Sequence, residues 1–401
     1  MTIKSTKAFL FLVFTLSSTI ALAQDFYFAG FSFIGDATED ENYPVASQLY
    51  KADNQVLNKQ LIGSLKNLKR TDLNLVYDKQ GILKRGNAVA LAYGLQKESI
   101  SVIQVEDKYQ TKLEVTGEIY AFDYSDAEHK LIANFPTGTT VTVTSKNKLT
   151  KQEIKDYFEN MYLPNKNSTS QKITLEGGST LNNVFDNWVS RLETVKIERA
   201  KKEKRLQIRE ITLDEHVIRQ LSGSSEYIKD KKMLTNETGR NFERNLSVNQ
   251  NVPVLPFSVG RALGASMIAR FADTDFRIKI PDPDMVIDIL VREFKKTYVD
   301  NRVYDGYVYS AFITLKVIEP YANTIKFESK FNYKDEIQIP KSYKLVIEDD
   351  WPLWIGAQKK LFEILSKQIS VRDDKELTKI TSTVNVKDLL KTFDEIITES
   401  R

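Results

Sequence analysis

The 401-residue chain carries 57 basic and 54 acidic residues, two histidines and no cysteine, and 41% of its residues are hydrophobic. The near balance of charge argues against a global electrostatic affinity for nucleic acid, and the hydrophobic content argues against global disorder. Without cysteine there is no disulfide, no thiol nucleophile, no cysteine-ligated zinc and no lipid attached through an amino-terminal cysteine.

The chain opens with MTIKSTKAFLFLVFTLSSTIALAQ, in which Lys4 and Lys7 precede an apolar run from Phe9 to Ile20. The run is shorter than the roughly 20 residues a membrane-spanning helix needs, and Ala21-Leu22-Ala23 has the small-x-small spacing of a cleavage site. Residues 1–23 are therefore read as a signal peptide. Cleavage before Gln24 predicts an exported protein, periplasmic or secreted, soluble once the signal is removed.

An amino-terminal α/β domain is predicted over 24–195. DFYFAGFSFIGD is apolar on both faces and reads as a buried strand. From Val45 to Leu68 the spacing of Leu49, Ala52, Val56, Leu61 and Leu65 predicts one long amphipathic helix. A short strand (73–77), a helix (86–96) and a strand (100–105) follow. Leu113, Val115, Gly117, Ile119 and Ala121 then alternate with polar residues, as in a strand with one wet face. DYSDAEHK turns that strand into LIANF, giving a hairpin, and helices at 150–163 and 179–197 close the unit.

Residues 196–215, within ETVKIERAKKEKRLQIREITLDEH (193–216), are charged on almost all sides and predict a solvated helical linker with mixed i,i+4 pairs. The alternative makes 196–209 a basic surface for anionic headgroups or another polyanion, although it lacks an apolar face to seat it in a membrane. A carboxy-terminal α/β domain is predicted over 216–370. Its elements are a strand at 252–257, a helix capped by Ser258 and running to Ala272, a strand at 276–280 and a helix over PDPDMVIDILVREFKK. A long strand from Tyr307 to Ile318, an alternating strand after the EPYAN turn, a strand at 343–347 and a helix from Trp351 complete it. The tail, 371–401, carries an amphipathic helix. Overall the fold class reads as α+β or α/β, with two similar mixed-sheet domains and helices packed on the sheets. The repeated order of elements raises internal duplication as a hypothesis.

Chemistry is sparse. His129 lies in a turn and His216 at a helix start, far apart, and no histidine pair has metal-ligand spacing. The SxxK matches at 5–8 and 145–148 lack their companion motifs, and there is no GxSxG. Gly260 and Gly264 follow a strand, but without the phosphate-loop lysine or a third glycine they read as a close helix contact. Asp273 and Asp275, with Asp282 and Asp284, could offer oxygen ligands to calcium. A strand separates the two pairs, however, and the second pair suits a helix amino terminus. Asp36, Glu39, Asp40 and Glu41 form a similar acidic loop. Asn167, Asn236 and Asn245 fit the glycosylation acceptor pattern. No residue is singled out as catalytic, cofactor-binding or metal-binding.

NVPVLPFSVGRALGASMIARF resembles the short strand leading into a helix of the TolB amino-terminal and curli-secretion-channel group of envelope domains. KLEVTGEIYAFDYSDAEHKLIANF resembles the long strand and hairpin that those domains carry. The chain departs from that group in lacking an anchoring cysteine and any segment that reads as pore-forming strands. The resemblance implies a periplasmic α/β binding or scaffolding module and carries over no functional residue. Two functions are open: a non-enzymatic envelope protein that binds another envelope protein or the cell wall, or a secreted hydrolase using carboxylates that leave no motif.

Overall fold

The computed structural model describes residues 24–33, 42–77, 89–123, 129–163, 173–174, 180–181, 183–195, 197, 206–223, 225, 227–250, 254–255, 266–271, 274–279, 282–371, 380–382 and 391. Residues 1–23, the acidic stretch 36–41, Asn167, Ser258, Gly260, Gly264 and Asp273 lie outside them. The protein is an α+β molecule built on two mixed sheets.

In the first half, β1 (Gln24–Phe33) contains Gly30 at φ 118°, where its register with β3 shifts by one residue. That conformation is open to glycine, and the resulting bulge puts Phe26, Phe28, Phe31 and Phe33 into one core despite their change of parity. The single helix predicted from Val45 to Leu68 is two helices, α1 (Ala46–Ala52) and α2 (Val56–Leu65). Asp53 is the breaker: its backbone is extended, and its carboxylate accepts from the Gln55 N–H at 2.9 Å. A side-chain turn thus replaces the helical bond.

After β2 (Leu73–Val76), β3 (Val89–Val105) takes over the predicted helix at 86–96 and fuses it to the strand at 100–105. Every residue from Val89 to Glu98 is buried. A strand covered on both faces shows no alternation, so its Ala- and Leu-rich run has the appearance of a helix. β4 (Lys108–Asp123) and β5 (His129–Ser145) form the predicted hairpin. Helices α3 (Lys151–Tyr162) and α4 (Val184–Thr194) follow, started by the capping boxes Thr150/Glu153 and Asn183/Asp186. Between them, β6 (Ile173–Thr174) and β7 (Thr180–Leu181) make a small ladder of their own.

The second half departs further from expectation. Residues 206–213 of the predicted helical linker form the strand β8 (Leu206–Leu213), with Leu206, Ile208, Ile211 and Leu213 inward. A shift of its pairing with β12 at Arg209 changes the phase, which hides the alternation among the charges. Next come α5 (Glu215–Gln220) and α6 (Lys231–Gln250), a helix the sequence reading did not place. After β9 (Val254–Leu255), β10 (Ser266–Phe271) replaces the predicted helix up to Ala272, and β11 (Thr274–Lys279) follows. The predicted helix over 281–296 is the strand β12 (Met285–Asp300), whose β-branched residues pair along the whole of β13 (Tyr304–Glu319). Pro and Asp ahead of it mimic a helix start, but non-local pairing decides the outcome. β14 (Thr324–Pro340), β15 (Leu345–Val346), α7 (Trp351–Val371) and β16 (Ile380–Ser382) complete the described elements.

The first sheet has the order β10-β11-β5-β4-β3-β1-β2, with β15 also paired to β3, and the second has β16-β14-β13-β12-β8-β9. Both contain the same path: an antiparallel meander (β5-β4-β3 or β14-β13-β12) whose inner strand pairs in parallel with the opening strand of its half. Two separate apolar cores result, one within residues 26–197 and one within 206–380. Three strands cross that division: β11 joins β5, β10 pairs β11, and β15 pairs β3. Helices α1–α4 supply the core on one face of the first sheet. Its other face meets α6 and α7, which cover the second sheet.

Candidate functional site

Where β12, β13 and β14 run past the first turn of α7, the core face of the second sheet continues outward as a row of aromatic rings. Cross-strand register sets Lys296 opposite Tyr309 and Tyr298 opposite Tyr307, with Asp335 and Ile337 completing the rows on β14. Tyr298 and Tyr307 pack with ring centroids 5.5 Å apart, and Tyr309 meets Trp354 edge-on at 6.3 Å. Trp351 and Trp354 are perpendicular to each other at 5.2 Å, and both contact Phe294. Such offset and edge-on pairs fix ring orientation beyond simple burial.

One polar knot anchors the row. The Lys296 ammonium is 2.7 Å from the Asp350 carboxylate and lies over the Tyr307 and Tyr309 rings at 4.5 and 5.5 Å. The Tyr309 hydroxyl donates to the same Asp350 oxygen at 2.7 Å. Burial and the Asp350 carboxylate both raise the Tyr309 pKa, which keeps the hydroxyl a donor. Asp349 and Asp350 precede α7; Asp349 accepts from the Trp351 N–H at 3.0 Å and from Ser225 and the Tyr227 N–H. Acidic residues at this end suit the helix dipole and lock the tryptophan turn to the sheet.

Beyond the knot the surface is open. Tyr298 is 54% exposed, Val303 59%, Tyr304 40% and Tyr343 45%. These belong to one end of the sheet, because Tyr304 pairs with Pro340, the Lys341 N–H donates to the Val303 carbonyl, and the Tyr343 N–H donates to the Pro340 carbonyl. The arrangement offers aromatic faces and aliphatic surface on a rigid base, with its lysine already paired. It is suited to recognition.

A second concentration of polar groups is internal. Between Leu95 and Lys97 the register of β3 against β4 shifts, placing Gln96 and Lys97 in succession on the face towards α6. Lys97 reaches Glu237 at 3.4 Å, Glu237 holds Arg240 at 2.8 Å, and Lys359 of α7 reaches Glu114 of β4 at 3.4 Å. Burial alone would raise Glu237, but the Lys97 and Arg240 charges outweigh it and hold the carboxyl at about 2. Burial lowers Lys97, with Glu237 pulling it back up. Glu118, buried on the same face, accepts from the Gln96 and Asn134 amides; burial raises it. On the opposite face Glu98 accepts from the Val45 and Ala46 N–H groups, both at 2.8 Å, capping α1 from a distant strand. Burial pushes Glu98 up to about 7 against those two bonds.

The residues singled out in the sequence fall elsewhere. Asp275 is on β11 in the first sheet, whereas Asp282 and Asp284 are exposed ahead of β12 in the second. Among the described residues no group of three or more histidine or carboxylate side chains is placed to hold a metal ion. His216 starts α5 beside Arg219, and His129 begins β5. Of the basic stretch 196–209, Arg209 is ion-paired with Asp288 at 2.5 Å. Asn236 and Asn245 lie within α6; Asn245 is buried and donates to the Asn241 carbonyl, and the hydroxyl of Thr238 is buried on Gln358. The aromatic row was missed because 281–296 read as a helix, which leaves Tyr298 with no partner strand. Its signal is the Tyr307–Tyr309 alternation facing the core.

The fold and this surface describe an α+β protein with exposed aromatic side chains at one end of its second sheet. No protein-family model and no curated protein matches the chain. Several solved structures align with parts of it, among them these three. A minor lipoprotein from Acinetobacter baumannii is 9% identical with a TM-score of 0.21, over 45% of this chain and 98% of that one. A Xanthomonas campestris protein of the DUF330 family is 11% identical with a TM-score of 0.18, over 48% and 87%. A homologue of a neuraminyllactose-binding hemagglutinin from Helicobacter pylori is 14% identical with a TM-score of 0.17, over 50% and 96%. Scores this low define no common fold. No helix among the described residues is long and apolar enough to cross a membrane.

Proposed function

We propose that this is an exported, non-enzymatic cell-envelope protein that binds another envelope protein through the aromatic end of its second sheet. One observation carries the reading: four of the eight large hydrophobic side chains exposed among the described residues (Tyr298, Val303, Tyr304 and Tyr343) gather at that end. Tyr298 among them continues a rigid row of buried rings. Exposed aromatics on a packed base are the composition of binding hot spots, since tyrosine and tryptophan supply contact area at small entropic cost. Export rests on the amino-terminal segment 1–23, whose charge, apolar run and cleavage spacing follow the order of a signal peptide.

The test places a photo-crosslinking amino acid at Tyr298 or Tyr304 in the full chain, expressed in its host. Tyr321, 82% exposed at the β13–β14 turn, is the control. A discrete adduct from 298 and 304 in the envelope fraction, absent from 321 and lost in Tyr343→Ala, is expected. Equal adducts from all three positions, or none from 298 and 304, would reject the surface. Amino-terminal sequencing of the mature protein should begin at Gln24.

A further inference from the structure

The face of the first sheet that meets α6 and α7 carries buried charge among the described residues. Each apolar core ends before it: Ala90, Ala92, Tyr120 and Phe122 are buried on the first sheet yet belong to neither core. Among the described residues, charged side chains share the space with them. Lys97, Glu114 and Glu118 project from the sheet; Glu237, Arg240 and Lys359 approach from the helices. Tyr120 lies against Glu118 and feels Glu243, and the Tyr227 ring sits under Lys97 with the ammonium 5.0 Å from its centroid. Buried ion pairs add little net stability, because desolvation offsets their attraction, but they are sharply selective for one geometry. At the rim, β15 leaves the aromatic end of the second sheet and pairs with β3, and the Glu106 N–H donates to the Lys344 carbonyl at 2.8 Å. Lys148 reaches Glu348 at 2.6 Å beside it.

We propose that this polar seam is a joint: the first-sheet unit and the second-sheet unit part there as two folded bodies, latched by the Lys97–Glu237–Arg240 and Glu114–Lys359 charges and by the β15 strap. Polar interfaces between separately cored units permit relative motion, whereas a shared apolar core would forbid it. The joint sets the angle between the first sheet and the aromatic face, and it stands whether or not that face binds a protein.

The chain has no cysteine, so a single introduced thiol reports without background. Ala92→Cys places it in the seam, opposite Tyr120; Ala121→Cys places it in the first-sheet core on the other face. Both positions are fully buried. Labelling by a small maleimide under native conditions should be at least tenfold faster at position 92 than at 121. Adding Glu237→Gln should raise the rate at 92 at least tenfold further and leave 121 unchanged. The triple replacement Lys97→Met, Glu237→Leu and Arg240→Met, which exchanges all three charges for apolar packing, should slow position 92 towards the rate at 121. Ala90→Cys repeats the measurement should Ala92→Cys not fold. Equal labelling at both faces, tracking global unfolding, would overturn the joint, as would a rate at 92 indifferent to Glu237.

Discussion

Two buried carboxylates give the molecule opposite responses to pH. Glu98 has a folded value of about 7 against an ordinary 4.5, so the native state holds a proton that the unfolded chain has lost between those values. Its contribution is complete below pH 4.5 and lost as pH rises through 7, a fall of about 3 kcal/mol. Glu237, held at about 2, behaves in reverse: its contribution is present above 4.5 and lost as pH falls towards 2. Urea unfolding from pH 3 to 8 separates them. Glu98→Gln should flatten the decline between pH 5 and 7, and Glu237→Gln should lower stability at pH 7 while removing the acid-side loss. A third residue is limited by space. A Cβ on Gly117 would lie 2.5 Å from the Trp188 ring and 2.7 Å from the Gly94 carbonyl oxygen. Gly117→Ala should therefore cost about 1–3 kcal/mol by overpacking, read as a lower thermal midpoint and a changed near-ultraviolet tryptophan signal. That glycine stands in the segment KLEVTGEIYAF, whose alternation carries no sign of the ring it admits.

Among the elements, legibility followed solvent. β4, with one face half-exposed, alternates and reads as a strand; β3, buried on both faces along Val89–Glu98, has the sequence pattern of a helix. α6 failed in the other direction. Its buried face includes Thr235, Thr238, Asn241 and Glu243, so the apolar period that marks a core helix is missing. Charge that is buried in pairs resembles charge in water when only the sequence is in view. The start of α7 shows how side chains then fix an element. Tyr309→Phe removes one donor from Asp350 and leaves Lys296 in place. The expected cost is about 1–2 kcal/mol in denaturant unfolding, with faster amide exchange over 351–354 than elsewhere in the helix.

At the scale of the molecule, the charged stretch between the two cores was visible in composition, but the exchange of strands across it was not. Periodicity reports which face of a strand is buried and is silent about which sheet receives it. The aromatic face was hidden for the same reason, since it exists only once β12 lies against β13 and α7 is seated on both. Trypsin cleavage between Ile197 and Leu206, where lysines and arginines abound, should give two fragments on a denaturing gel that still co-elute in native size exclusion. The later fragment supplies β10, β11 and β15 to the earlier one's sheet. Fragments that separate freely would show those strands contribute little.

The late arrival of β11 at the edge of β5 also orders events in time. A chain made from its amino terminus completes β5 at Ser145 and does not reach Thr274 until more than a hundred residues later. At about 5–20 residues per second that interval is on the order of ten seconds. Throughout it the start of β5, where His129 and Lys130 later pair with Ile278 and Lys279, has an unfilled lateral position, of the kind that templates mispairing between neighbouring copies. Crowded synthesis should thus be the hazard for this protein, with a holding chaperone relieving it only until the β10–β11 hairpin has emerged.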